Sequence, residues 1–110
     1  MEFSFYTHWT RASLTDFLHH LDRECSAIQA YASILDNWHL VETDYDVFIM
    51  NLDKMRVAIA YNLKFLRDGT PAFRLRSDVR RGARKISEAS TLVAVLSDLQ
   101  KREQRRRGSD

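Results

Sequence analysis

Apolar residues recur along the first third of the chain at alternating intervals of four and three positions. They are Leu14, Leu18, Leu21, Cys25, Ile28, Ala32 and Leu35. Because an α-helix completes a turn in about 3.6 residues, this spacing puts all seven side chains on one stripe. The pattern predicts a long helix over residues 13–37, with Ser13 as the N-cap whose hydroxyl accepts a backbone hydrogen bond.

A second apolar run has nearly the same period and consists of Tyr45, Phe48, Leu52, Met55, Ile59, Leu63 and Leu66. It predicts a second helix over residues 43–68, with Thr43 as the N-cap and Gly69 as the residue that ends it. Other apolar residues lie off this stripe: Val47, Ile49, Met50, Val57, Tyr61 and Phe65. The two runs predict a helical hairpin whose second helix is central or lies in an interface.

The last third of the chain contains a third helical stripe, formed by Val79, Ala83, Ile86, Ala89 or Ser90, Val93, Leu96, and Leu99 or Gln100. It predicts a helix over residues 77–106, capped by Ser77 and Asp78 and followed by a tail at residues 107–110. A glycine inside a helix is unfavourable by about 1 kcal/mol relative to alanine. We therefore expect Gly82 to mark either a close backbone approach or a weak first turn.

Two segments flank the predicted helices. Residues 72–76 alternate apolar and basic side chains, which predicts an extended connector with Phe73 and Leu75 pointing inward. Residues 1–12 form an arm with four aromatic rings: Phe3, Phe5, Tyr6 and Trp9. The arm either folds back on the chain's own core or packs on a second protomer or another partner, because aromatic residues dominate interface energetics.

The composition agrees with a single all-α domain. The 110 residues are 45% hydrophobic, and three Gly and one Pro are few for a chain that needs β-turns. Cys25, the only cysteine, lies on the first stripe, which favours a small buried hydrophobe over a reactive thiol. We find neither a leader peptide nor an apolar run of about 20 residues, so we expect a cytoplasmic protein without a membrane segment.

Three helices of this length leave more apolar surface than one copy can cover. We therefore predict a long-helix hairpin plus a third helix, forming a helical bundle that a homodimer completes. The charge distribution is compatible with self-association. Residues 1–72 hold six Lys/Arg and ten Asp/Glu, whereas residues 73–110 hold eleven and five.

Residue sets that support catalysis or metal binding do not emerge from the sequence. His20 and Glu24 have the i, i+4 spacing of two metal ligands, but a zinc site normally has three or four. Asp44 and Asp46 are two positions apart and do not face each other on a helix, so they make a poor acid–base pair. Glycine-rich phosphate loops and paired cysteines do not occur. We predict a protein that is not an enzyme and holds neither a metal nor a cofactor.

The predicted plan resembles that of the small dimeric helical anti-activators of bacterial LuxR-type quorum-sensing regulators. The resemblance lies in the chain length, the two long helices at 13–37 and 43–68 and the surplus apolar surface. It implies a regulator that binds a transcription factor and prevents it from acting on DNA. Independently, the aromatic residues predict a partner-binding surface, with these candidate anchors: Phe3, Phe5, Trp9, Tyr31, Trp38, Tyr61 and Phe65.

A basic cluster gives the alternative function, a nucleic-acid-binding helical dimer that uses the third helix and the tail. Its candidate anion-binding residues are Arg74, Arg76, Arg80, Arg81, Arg84 and Lys85. The same cluster is also compatible with a solvated face, or with contact to an acidic surface such as residues 36–53 of a second protomer. A structural subunit of a larger assembly is a third interpretation.

Overall fold

A computed structural model describes residues 9–108 of the chain. It contains α1 (Arg11–Ala32), α2 (Tyr45–Arg67) and α3 (Ala72–Gly108), with a short 3₁₀ turn at Trp38–Leu40 between α1 and α2. Strands do not occur among these described residues. The prediction of an all-α helical bundle is therefore confirmed, whereas several helix ends differ from those predicted.

A capping box starts α1 two residues before the predicted position. The Thr10 hydroxyl accepts a hydrogen bond from the Ser13 amide at 3.1 Å, and the Ser13 hydroxyl accepts one from the Thr10 amide at 3.0 Å. Ser13 thus contributes to the cap from inside the first turn, and Thr10 is the N-cap. The helix ends at Ala32 rather than at residue 37, but all seven residues of the predicted stripe are buried.

Both ends of α2 are defined by local hydrogen bonds. Asp44, and not Thr43, is the N-cap, because its carboxylate accepts from the Val47 amide at 3.1 Å. At the other end Gly69 has a φ of 100°, a left-handed conformation that favours glycine. The Thr70 amide donates to the Phe65 carbonyl at 2.9 Å and the Gly69 amide donates to the Leu66 carbonyl at 3.2 Å. These two bonds form a Schellman motif, so Gly69 ends the helix as predicted.

The start of α3 is where the sequence-based prediction is wrong. Residues 72–76 are helical rather than extended, and Ser77 and Asp78 are exposed residues within the helix rather than its cap. Pro71 directly precedes the first helical residue, where its fixed φ and missing N–H favour helix initiation. Leu75 is buried as predicted, because it lies one turn before Val79 on the same stripe, whereas Phe73 is 61% exposed.

The first helix lies at the centre of the packing. It contacts both α2 and α3 extensively, whereas α2 and α3 make fewer contacts with each other. The core consists mainly of the predicted stripes, and its fully buried members include Leu14, Leu18, Leu52, Leu66 and Leu96. The two outer helices therefore pack on α1 more closely than on each other, and the space between them is the candidate site.

Polar contacts fix the position of α3 at one end of α1. The buried Asn37 side chain donates through Nδ2 to the Leu96 carbonyl at 2.9 Å. The Gln100 side chain accepts from the Asp36 amide at 3.1 Å, and the hydroxyls of Tyr31 and Ser97 share a hydrogen bond. Because α3 has 37 residues and α1 has 22, α3 continues past this anchored end.

Candidate protein-binding groove

An elongated groove of about 900 Å³ lies between α2 and α3. Leu18 and Leu21 of α1 line it together with apolar side chains from the two outer helices: Leu52, Met55, Ile59, Val79, Ile86 and Leu92. The groove exists because these stripe residues pack on α1 while the two outer helices stay apart above it. The α2 wall runs from Phe48 to Phe65, a distance of roughly 25 Å at 1.5 Å per helical residue.

Charged side chains surround the apolar floor of the groove. Lys54 on α2 and Arg81 and Lys85 on α3 are basic, whereas Asp78 and Glu88 on α3 are acidic. The Arg81–Asp78 pair is loose, with 3.8 Å between Nη1 and Oδ1 and both side chains more than half exposed. Such a pair contributes little to stability, so these charges are available to a bound partner.

Gly82 lowers the α3 wall of the groove. A Cβ placed on this residue would meet no atom of the described structure within 4 Å, and its φ is not left-handed. Gly82 also lies ten residues after the start of α3. The two explanations predicted for this glycine, a close backbone approach and a weak first turn, are therefore both wrong.

The outer side of α2 is apolar and exposed beyond the groove. The residues Val47, Met50, Val57 and Tyr61, which we call the α2 crest, have exposed fractions of 46%, 46%, 55% and 57%. Val47, Met50 and Val57 do not line the groove, whereas Tyr61 lies on its edge. Phe65, 43% exposed, lines the groove and stacks against Tyr61 with ring centroids 6.3 Å apart.

The structure brings two of the seven predicted partner-binding residues together at the groove, Tyr61 and Phe65. Phe3 and Phe5 lie outside the described residues. Trp9 is buried against Phe17, with ring centroids 5.2 Å apart, so this part of the arm packs on the chain's own core.

Two other predicted anchors take part in contacts within the chain. Trp38 packs against Tyr45 and Phe48, and its Nε1 donates to the Ala32 carbonyl at 3.3 Å. Tyr31 lies near the end of α1, where its hydroxyl contacts Ser97. In the sequence each aromatic ring is a potential anchor. Which rings are covered depends on tertiary packing, which local sequence does not specify.

The basic cluster does not form one continuous face. Arg81 and Lys85 lie at the groove rim, and Arg74 and Arg84 are exposed nearby on α3. Arg76 and Arg80, one turn apart on α3, are half-buried, in contrast to the four exposed members. The six predicted anion-binding residues therefore divide into two groups.

Metal-ligating side chains of the described residues are not grouped into a site. Groups of three His, Cys, Asp or Glu that could hold a metal ion do not occur within residues 9–108. Burial, assisted by the nearby Asp22 carboxylate, raises the pKa of the Cys25 thiol from 9.0 to about 11. A protonated, buried thiol is a poor nucleophile. None of the helices in this range is long and apolar enough to cross a membrane.

Comparison with protein-family models, with curated proteins and with solved structures found no match to the chain. The groove, the α2 crest and the charges around them are the features of the described residues that bear on function.

Proposed function

We propose that this chain is a non-enzymatic, cytoplasmic regulatory protein that binds another protein, such as a transcription regulator, through its apolar surface. The binding site is the groove between α2 and α3, and the bound element is an amphipathic helix of the partner. Such a helix inserts side chains from one face into an apolar groove, at positions i, i+3 or i+4, and i+7.

The observation that carries the proposal is the shape and lining of the groove. An open groove roughly 25 Å long matches about four to five turns of helix, with helices on both sides and α1 beneath. A small ligand instead needs a cavity that encloses most of its surface. Tyr61 and Phe65 lie where an inserted side chain would contact them, and aromatic residues of this kind commonly supply much of the binding energy.

The resemblance of the helical plan to small anti-activators is the reason for naming a transcription regulator as the partner. The rim would contribute to specificity, because Lys54, Arg81 and Lys85 favour acidic residues beside the partner's apolar stripe. A partner helix bound here would then be unavailable for its own contacts, which is how a binding protein without catalytic residues can regulate.

Affinity capture with two groove variants tests the proposal. Gly82→Phe fills the groove from the α3 side without a clash at its Cβ, and Phe65→Glu places a charge in the α2 wall. Val95→Glu is the matched control, because Val95 is 48% exposed on α3 and does not line the groove.

We expect the wild type and Val95→Glu to capture the same DNA-binding regulator, and both groove variants to lose it. The captured regulator is then purified and titrated against the same four proteins. Equal affinity for all four would show that the groove is the wrong surface, and failure of any regulator to bind would remove the proposed role.

A nucleic-acid-binding function is the second candidate, favoured by the exposed Arg74, Arg81, Arg84 and Lys85 on one side of α3. Phosphate contacts release counterions, so such binding weakens steeply as the salt concentration rises. A mobility-shift assay with random-sequence DNA and RNA distinguishes the two candidates. Retardation at low salt that disappears at physiological salt favours nucleic acid, and no retardation at low salt excludes it.

A further inference from the structure

The α2 crest is an apolar surface that the groove does not explain. Val47, Met50 and Val57 point away from the groove and are about half exposed, and Tyr61 continues their row. Together they form an apolar row along one side of α2, and apolar residues grouped in this way on an exposed helix face are typical of an interaction surface. Lys54 interrupts the row, and its aliphatic stem can lie on apolar surface while the ammonium group reaches water.

The charges at the two ends of α2 indicate what covers this patch. Asp44 and Asp46 lie at the start of the helix, and Lys64 and Arg67 lie in its last turn. A two-fold symmetric interface has to be complementary to itself. An antiparallel pair of α2 helices puts the acidic start of each beside the basic end of the other, whereas a parallel pair puts like charges together.

We propose that a second copy of this chain covers the α2 crest, with the two α2 helices packed antiparallel about a two-fold axis between Lys54 and Val57. In this register Met50 lies opposite Tyr61 of the other copy, and Val47 lies opposite Phe65. Asp46 and Lys64 are separated by about five helical turns, so both lie on the same side of α2. An antiparallel arrangement brings them together across the interface, on the side away from the groove.

The pairing goes beyond the proposed function and does not depend on it. Val47, Met50 and Val57 do not line the groove, whereas Tyr61 and Phe65 lie on the edge that both surfaces share. The dimer therefore borders one edge of each groove and leaves the α1 floor and the α3 wall open to other proteins. The two surfaces also have separate test variants, Val57→Glu for the crest and Gly82→Phe for the groove. The dimer can therefore fail while partner capture succeeds, and the reverse.

The first experiment measures the mass of the full chain by sedimentation over a dilution series. We expect twice the chain mass of 12.9 kDa, falling towards 12.9 kDa on dilution. Val57→Glu should raise the dimer dissociation constant about 100-fold, because it replaces apolar contact beside the axis with a charged side chain that prefers water. Val95→Glu, the same change at an equally exposed valine on α3, should leave it unchanged.

The second experiment tests the orientation by disulfide trapping. Copies with Met50→Cys and copies with Tyr61→Cys are mixed under mild oxidation, and the native Cys25 does not compete because it is fully buried. We expect linked pairs that contain one copy of each kind, and no pairs between two Met50→Cys copies. Circular dichroism confirms that each variant keeps its helices.

Three results would overturn the proposal. They are a wild-type mass of 12.9 kDa at every concentration, equal weakening by Val57→Glu and Val95→Glu, and preferential linkage of Met50→Cys to itself. The last result would mean a parallel pair, which the charges at the ends of α2 disfavour.

Discussion

The same glycine-to-alanine change should have opposite effects at two positions of this chain. Gly82 lies inside α3 with a φ outside the left-handed region, and Gly69 lies at the end of α2 with a φ of 100°. A Cβ at either position would meet no atom within 4 Å. Steric contact therefore contributes to neither substitution, and the backbone conformation alone determines the sign.

The magnitudes follow from those conformations. In a helix interior, alanine is more favourable than glycine by about 1 kcal/mol, so Gly82→Ala should raise the free energy of unfolding by about that amount. A left-handed conformation costs a residue with a Cβ about 1–2 kcal/mol, so Gly69→Ala should lower the free energy of unfolding by about 1 kcal/mol. Both substitutions reduce the entropy of the unfolded chain equally, and the expected difference of about 2 kcal/mol reflects the native state.

Urea unfolding followed by circular dichroism at 222 nm measures both effects, with all proteins at one concentration so that self-association contributes equally. The melting temperatures of the two variants should differ by roughly 8–16 °C, since 1 kcal/mol shifts Tm by about 4–8 °C in a domain of this size. A destabilising Gly82→Ala, or effects of the same sign at both positions, would refute the reasoning.

Three further predictions concern the core and its polar contacts. Leu52→Ala should lower the free energy of unfolding by about 3–5 kcal/mol because Leu52 is fully buried. Val95→Ala, at an exposed position on α3, should lower it by less than about 0.5 kcal/mol, and urea unfolding measures both. The raised pKa of Cys25 adds stability that is complete below about pH 9 and is lost as the pH rises to about 11. Cys25→Ala should abolish this loss, and the same decline in both proteins would contradict the assignment. Asn37→Asp should be less stable at pH 7 than at pH 4. Its ionised carboxylate would face the Leu96 carbonyl, and only the protonated acid can donate a hydrogen bond to that oxygen. A stability difference from wild type that does not change with pH would exclude that contact.

The helical periodicity was sufficient to predict the fold class and the core of α1. The six stripe residues from Leu14 to Ala32 are buried on one face of α1, because alternating spacings of four and three fit a helix face and no other regular structure. Leu35 is also buried, although it follows the end of the helix. The start of α3 was not predictable in the same way. The five residues 72–76 alternate in a way that fits a short strand as well as a helix, and Ser77–Asp78 has the composition of a helix cap. Both features favoured a later start for α3. Pro71 was the correct signal for the start of the helix, because proline favours the first turn.

The groove depends on how far two helices diverge, which local sequence does not encode. The off-stripe residues Val57 and Tyr61 indicated a second apolar surface on α2, but not that a gap would separate α2 from α3. Trp38 shows the converse, because its aromatic ring made it a candidate anchor while tertiary packing places it against Phe48. Predicting such sites requires the distances between elements that are far apart in the chain.

The last turns of α3 make the net charge of this protein sensitive to proteolysis. Residues 101–108 extend past Gln100, whose side chain holds α3 to Asp36. Nearby ion pairs join side chains within α3 itself, such as Arg102 with Asp98 at 2.9 Å. Helix ends fray, and a trypsin-like protease that cuts after exposed arginines would remove this end while the anchored bundle remains. Such proteases also cut after lysine, and residues 102–110 hold four basic and two acidic side chains, so cleavage after Lys101 changes the net charge from +2 to 0. Trimming would therefore remove the net positive charge that the molecule presents to distant anions, with its groove unchanged.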